Sequence, residues 1–432
     1  MALPALNPTT DPRRHRRFNH EEILMHRRHL VSSGLVLATG LALGSAASAQ
    51  TTVNIAALAD FAGPYANVMN DMQGGRNAVV DWWNKEVGEK MGVRIAIKTY
   101  DTRYDVAQTA SLWPGIKAEL KPAIVLGLGG PDAAALQQRL PEDKVPMLFG
   151  TAAYGFGWKP GQWALNVRPT YPHEAAGFLE WFRTARLEGK RPVKVAIITS
   201  EATPAYADMA KGLQAYAKAN PEKATFVEAI WTEVQPADLT LQVRRLANAG
   251  TDVIVIQTNT AQAVATKRAL QALGKNIPIM LSLHNGLLGS SKALGNPNGF
   301  AGDFEVGAIA DASEDDTPAR KFFAMLQTKY GLKSNWNSMT MLGLGQAIVA
   351  VRSVEAAAKA KGAAGVTGEA VHAVLLGTAF SGAELMGILP GVDFNPENPF
   401  PTGTAKVNVA TMKDGKVVRV AADAPVPAIP KW

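Results

Sequence analysis

The residue types that most often carry chemistry are sparse and scattered in this 432-residue chain. It has no cysteine, which removes thiolate nucleophiles, thiolate metal sites, disulfides and a lipidated N-terminal cysteine. Beyond residue 49 the histidines are His173, His284 and His372, too far apart for the paired spacing of a zinc site. No G-x-S-x-G turn offers a serine nucleophile in the setting an α/β-hydrolase triad needs. Gly127-Leu128-Gly129-Gly130-Pro131-Asp132 has the outline of a phosphate-cradling loop, but Asp132 stands where the third glycine belongs. A carboxylate there would repel a pyrophosphate at a helix N-terminus. The loop reads better as a tight turn where Gly130 and Pro131 let a ligand approach bare backbone. These absences argue against an enzyme, and no cofactor is expected.

The elements that must position any site alternate along the chain. Val53–Leu58, Val93–Lys98, Ala123–Leu126, Val193–Thr199, Asp252–Gln257 and Ile277–Leu281 read as strands. Met72–Trp83, Ala133–Leu140, Tyr206–Ala219, Leu239–Ala249, Ala261–Leu273 and Ser338–Lys361 carry helical spacing, and Gly250 and Gly274 supply helix stops. Alternation with short glycine-closed joints predicts parallel sheets covered by helices on both faces. Such sheets place ligands at the carboxyl ends of their strands. Lys406–Val409 and Lys416–Val420 predict a hairpin across Asp414-Gly415. Trp82-Trp83 reads as packing, with a binding platform as the other reading.

The first 49 residues set the compartment. Arg27-Arg28 precedes an apolar run, Leu30–Leu43, and Ala47-Ser48-Ala49 ends in a small-x-small cleavage pattern before Gln50. Basic start, short apolar middle and small-residue cut are the parts of a signal peptide, so periplasmic export with cleavage after Ala49 is expected. The run is shorter than the roughly 20 residues that span a bilayer. Paired arginines before x-Leu-Val leave both twin-arginine and ordinary Sec export open, and either Met1 or Met25 can be the start. After removal of the leader the chain carries 38 basic and 34 acidic residues, too mild a surplus to point to nucleic acid.

Several short motifs, in one order, carry a family resemblance. Phe61-Ala62-Gly63-Pro64-Tyr65-Ala66 follows the first strand, and Tyr100-Asp101-Thr102-Arg103-Tyr104-Asp105 precedes a helix. Val145-Pro146-Met147-Leu148 leads into Gly150-Thr151-Ala152-Ala153. Asn166-Val167-Arg168-Pro169 and Ala205-Tyr206-Ala207-Asp208 come next. Over residues 51–420 the chain resembles the branched-chain amino-acid (leucine-type) solute-binding proteins of ABC transporters, with the type I periplasmic binding fold. The resemblance implies two doubly wound parallel-sheet α/β lobes joined by three crossover strands. Lobe one would be 51–169 plus 308–385, and lobe two 170–307 plus 386–432.

It further implies a monomeric receptor that holds a small solute between its lobes and meets the permease and ATPase of an importer. A ligand-sensing subunit on the same fold is the alternative. By the same resemblance Thr151 and Ala153, with Gly130, Pro131 and Asp132, would face the ligand from lobe one. Tyr206 would cover it from lobe two. The family's second tyrosine falls at Asn259, and the acid that pairs with an ammonium falls at His284 or Asn285. Tyr65 would either stack on a flat ligand or pack at the surface. Asp132 would either meet a ligand cation or cap its own helix, and His284 would either touch ligand or be a hydrogen-bonded loop residue. An ammonium buried without an anionic partner costs several kcal/mol. The expected ligand is therefore a small solute without a free ammonium: an aromatic acid, an amide or a urea, or else an amino-acid relative.

Overall fold

A computed structural model describes residues 50–150, 162–202, 204–397 and 399–432. The leader, with Thr151 and Ala153, lies outside the described residues.

The first sheet is built from β1 (Thr51–Ala59), β2 (Val93–Asp101), β3 (Ile124–Gly127), β4 (Met147–Phe149) and β5 (Ala164–Asn166) in the order β2-β1-β3-β4-β5, every pair parallel. The second begins with β6 (Val193–Thr199), β7 (Ala224–Trp231), β8 (Val253–Ile256), β9 (Ile279–Leu281) and β10 (Phe304–Gly307), in the order β7-β6-β8-β9-β10. The two parallel sheets therefore share one winding. Their inner strands are buried on both faces, so Val253–Ile256 and Ile124–Gly127 show near-continuous apolar runs rather than alternation.

A small pair, β11 (Phe380–Ser381) with β12 (Gly391–Val392), follows. β13 (Lys406–Lys413) and β14 (Lys416–Pro425) then add an antiparallel hairpin to the edge of the second sheet at β10. The turn is the expected one: Asp414 and Gly415 both have positive φ, 49° and 72°, as a two-residue primed turn requires.

The helix Ser338–Lys361 has the bounds read from the sequence. It is long and apolar enough to cross a membrane, but 83% of its apolar window is buried in lobe one. It lies against the helix Ala66–Trp83 at glycine contacts: a Cβ at Gly343 would sit 2.0 Å from the Met72 carbonyl oxygen. Trp83 is fully buried beside them and Trp82 packs edge-on against Phe322, so this pair serves the core.

The chain crosses between lobes after β5, after β10 and before β13. The crossovers are laced together: Asn166 N donates to Pro399 O (2.8 Å), Ala310 N to Ile388 O (2.8 Å) and Asn408 Nδ2 to Ile309 O (3.0 Å). The expected boundary at residue 386 moves. Residues 386–394 are expected in lobe two, yet Ile388, Leu389, Val392 and Phe394 pack into the lobe-one core, and β12 pairs with β11. The third crossover thus begins after Phe394, because this apolar run needs the lobe-one surface to bury it.

Candidate ligand-binding cleft

In both sheets the order reverses beside the first strand: β1 is flanked by β2 and β3, and β6 by β7 and β8. Crevices at such switch points open at the carboxyl ends of the strands. Tyr65 follows β1, Gly130 follows β3, Tyr206 follows β6, Asn259 follows β8 and His284 follows β9. The fold thus gathers candidates that are up to 219 positions apart in sequence.

The Tyr65 loop is shaped by Asp60. This fully buried carboxylate accepts from Tyr65 N (2.8 Å) and Gly63 N, folding the chain back on itself. A Cβ at Gly63 would lie 2.5 Å from both Asp60 and the Arg103 carbonyl, so the turn needs glycine there. The loop carries Tyr65 across the cleft. Its hydroxyl lies 2.7 Å from the Tyr206 hydroxyl and donates more weakly to Thr258 O (3.4 Å), both in lobe two. Tyr104 packs edge-on against Tyr65, with ring centroids 4.8 Å apart. Burial pushes both tyrosine hydroxyls up from their ordinary range; the neighbouring Tyr206 adds to this at Tyr65. Both are neutral O–H groups at physiological pH. The two hydroxyls meet across the cleft.

His284 lies beneath them, in the short turn Leu283–Asn285. Its ring is 6.0 Å from Tyr65 and 5.4 Å from Tyr171, and Nδ1 meets the Tyr171 hydroxyl at 2.8 Å and Ser282 Oγ at 3.2 Å. Burial, aided by Arg168 and opposed by the Thr258 and Gln257 carbonyls, lowers its pKa to about 3. The imidazole is neutral at physiological pH. Tyr65, Asn259 and His284, with Val68 and Thr260, line a pocket of about 390 Å³. Pro64, Tyr104 and Tyr206 border a second of about 410 Å³.

Other candidates are turned into their own frame. Asp132 is fully buried; one oxygen accepts from Leu128 N (2.7 Å) and Gly129 N (3.4 Å), the other from Thr109 Oγ1 (3.0 Å). It braces the loop and the start of the helix Gly130–Leu136, whose first turn contains Gly130 and Pro131. Asn285 accepts from Ser282 N and donates to Ile256 O (3.0 Å) and Asn259 O (3.4 Å), tying the β8 and β9 loops together. Asn259 caps the helix Thr260–Ala272 by accepting from Gln262 N (3.1 Å), while still lining the pocket.

Three residues absent from the expected set join the site: Tyr104, Tyr171 and Arg168. Arg168 sits on the first crossover, 1% exposed, with its guanidinium 5.3 Å from the Tyr171 ring. Nη1 is 3.2 Å from Glu174 Oε1, with both side chains fully buried. Glu174 Oε1 also accepts from Ala308 N (2.9 Å) on the second crossover, and burial raises the Glu174 pKa to about 6 against the pull of Arg168. The motif carrying Arg168 was visible in the sequence. That its side chain turns inward was not. Among the described residues no group of three or more His, Asp or Glu side chains could hold a metal ion.

A family model described as periplasmic binding protein matches residues 52–416. A search of curated proteins returned no match. Among solved structures, a branched-chain amino-acid ABC transporter protein from Thermus thermophilus with bound valine aligns with a TM-score of 0.74 at 18% identity, covering 87% of this chain and 97% of that one. A leucine-binding protein from Thermotoga maritima gives 0.67 at 16%, over 86% and 99%. A solute-binding protein from R. palustris in complex with 4-hydroxybenzoate gives 0.69 at 19%, over 88% and 98%. With the family model spanning most of its length and this two-lobed architecture, the chain belongs to the periplasmic binding protein family and has the type I fold of ABC-transporter substrate-binding proteins.

Proposed function

We propose that this chain is an exported receptor that captures a small solute without a free ammonium group between its lobes and delivers it to an ABC importer. The observation that carries the reading is the neutral His284 beneath the Tyr65–Tyr206 clasp. By resemblance, the acid that a receptor for free amino acids needs falls at His284 or Asn285. A neutral ring beside a cationic Arg168 offers an ammonium nothing to pair with, and the cost of burying one unpaired is several kcal/mol. Aromatic acids, amides and ureas avoid that cost, and the R. palustris relative's 4-hydroxybenzoate is a solute of this kind. The chain works by binding and release rather than by turnover. The leader directs it to the periplasm, and cleavage after Ala49 leaves Gln50, whose side chain donates to Val93 O (3.0 Å), as the first residue.

The test is a screen of aromatic acids, amides, ureas and amino acids by melting shift. A ligand at a hundredfold excess over its Kd should stabilise the protein by roughly 2.7 kcal/mol. Solutes lacking an ammonium are expected to shift the melting temperature. A response to leucine-like amino acids alone would sink the reading. Separately, N-terminal sequencing of the exported protein should begin at Gln50.

A further inference from the structure

We infer that Arg168 is an anion seat at the floor of the cleft, where its guanidinium receives the carboxylate of a solute whose flat apolar body lies among Tyr65, Tyr171 and Tyr206. This rests on the reading of the cleft as a solute site and narrows it to carboxylates.

Among the described residues two arginines are almost completely buried, and they differ sharply. Arg76 is used up: Nε donates to Gln346 Oε1 (2.8 Å), Nη1 to Leu58 O (2.8 Å) and Gln73 Oε1 (3.1 Å), and Nη2 more weakly to Gly127 O (3.4 Å). Arg168 has no hydrogen bond at Nε, Nη1 or Nη2. Its ion-pair contact with Glu174 lacks hydrogen-bond geometry, and Glu174 Oε1 is already engaged by Ala308 N. A buried ion pair offsets its desolvation only when the remaining donors are satisfied, and a buried group left open calls for an explanation.

The position supplies one. Arg168 abuts Tyr171, whose hydroxyl holds His284, and His284 lines the pocket beneath Tyr65. Arg168 also sits on a crossover, so parting of the lobes can uncover it and closure can seal it. A guanidinium is a rigid fork of five donors that matches a carboxylate in two parallel hydrogen bonds. A cationic solute would be repelled. A neutral amide brings two N–H donors toward a group that has only donors to offer, so it is the poorer fit.

The experiment pairs acids with their amides on the full mature chain: benzoate with benzamide, and hexanoate with hexanamide, followed by melting shift and calorimetry. Acids are expected to bind and their amides not. Glu174→Gln removes the competing negative charge and is expected to tighten acid binding, which a purely structural pair would not do. Arg168→Met combined with Glu174→Gln leaves no lone buried charge and is expected to weaken acid binding at least about thirtyfold. Cooperative melting without ligand checks its fold, and Glu174→Gln alone carries the test should it fail. Binding of amides only, or acid binding kept within twofold in the double variant, overturns the inference and leaves the receptor reading standing. So does stabilisation by sodium chloride alone that Arg168→Met removes, since that is an adventitious ion only. If neither acids nor amides bind the wild type, the small-solute reading falls and this inference with it.

Discussion

At the scale of single residues, the same side-chain type serves opposite ends. Asp132 and Asn285 look like ligand groups in sequence, yet their polar atoms are taken up by loop backbone and by Thr109. Tyr65, Tyr206 and His284 keep their rings on the cleft. The type of residue could be read from the sequence. Which polar atoms were already spoken for could not, because that depends on loops brought together by the sheets. The Tyr65–Tyr206 contact joins two neutral hydroxyls, and such a bond is worth about 1 kcal/mol net. Tyr206→Phe keeps the ring and loses the clasp, so calorimetry should show binding about fivefold weaker. Tyr206→Ala also removes the ring and should cost at least about tenfold. Unchanged affinity in Tyr206→Ala would take Tyr206 out of the site. Glu305 gives a pH test. It is fully buried, accepts from Leu287 N (2.7 Å) and Ser338 Oγ (2.9 Å), and is raised to about 7 by burial, with the nearby Asp311 adding to the effect. An acid whose folded pKa lies above its unfolded value binds more protons when folded, so its contribution to stability is present below about pH 4.5 and lost as pH rises through about 7. Glu305→Gln mimics the protonated form. It should match wild type near pH 4.5 and exceed it above pH 7, by on the order of 3 kcal/mol. Equal stability at both pH values in denaturant titrations would refute this.

At the scale of elements, the order of strands and helices was legible because inner parallel strands are unbroken apolar runs and glycines mark helix ends. Gly250 and Gly274 do have positive φ, 72° and 59°. Two elements carry a broken local signal. β10 interrupts its apolar run with buried Glu305. The helix Val106–Leu120 contains Pro114, which reads as a breaker. Proline cannot donate to the carbonyl four residues back. Here Arg139 Nη1 takes that place, donating to Ala110 O at 3.2 Å, and the helix continues. Only the fold brings Arg139 to that carbonyl, so no local pattern could reveal it. Between the helices Ala66–Trp83 and Ser338–Lys361, contact is close enough to demand glycine. A Cβ at Gly343 would overlap the Met72 carbonyl, and one at Gly75 would lie 2.8 Å from Thr340 O. Gly343→Ala must push the helices apart, since the obstacle is backbone. Overpacking of this kind costs about 1–3 kcal/mol. The variant should melt lower than wild type, and an unchanged melting temperature would mean the helices are more loosely held than this.

At the scale of the whole molecule, two sheets with one winding face each other across crossovers that share hydrogen bonds. The candidate site draws on both lobes: Tyr65 comes from one, Tyr206 and His284 from the other, and Arg168 from the connection between them. On the proposed function, closure is coupled to binding. Among the described residues, polar links between the lobes include the tyrosine clasp and Ser338 with Glu305. Net hydrogen-bond contributions near 1 kcal/mol each leave an open state within reach when no ligand is present. A solute can drive closure only through its preference for the closed form, and moving the balance from 1:99 to 99:1 requires roughly a ten-thousandfold preference. Small-angle scattering should then show a smaller radius of gyration at saturating solute than without it. Tyr206→Phe should need more solute to reach the same compact state. Glu305→Gln should close much as wild type does at pH 5, where Glu305 is itself protonated. A radius that stays the same from zero to saturating solute would mean that binding does not use the hinge, and the clasp would then be a fixed wall of the pocket.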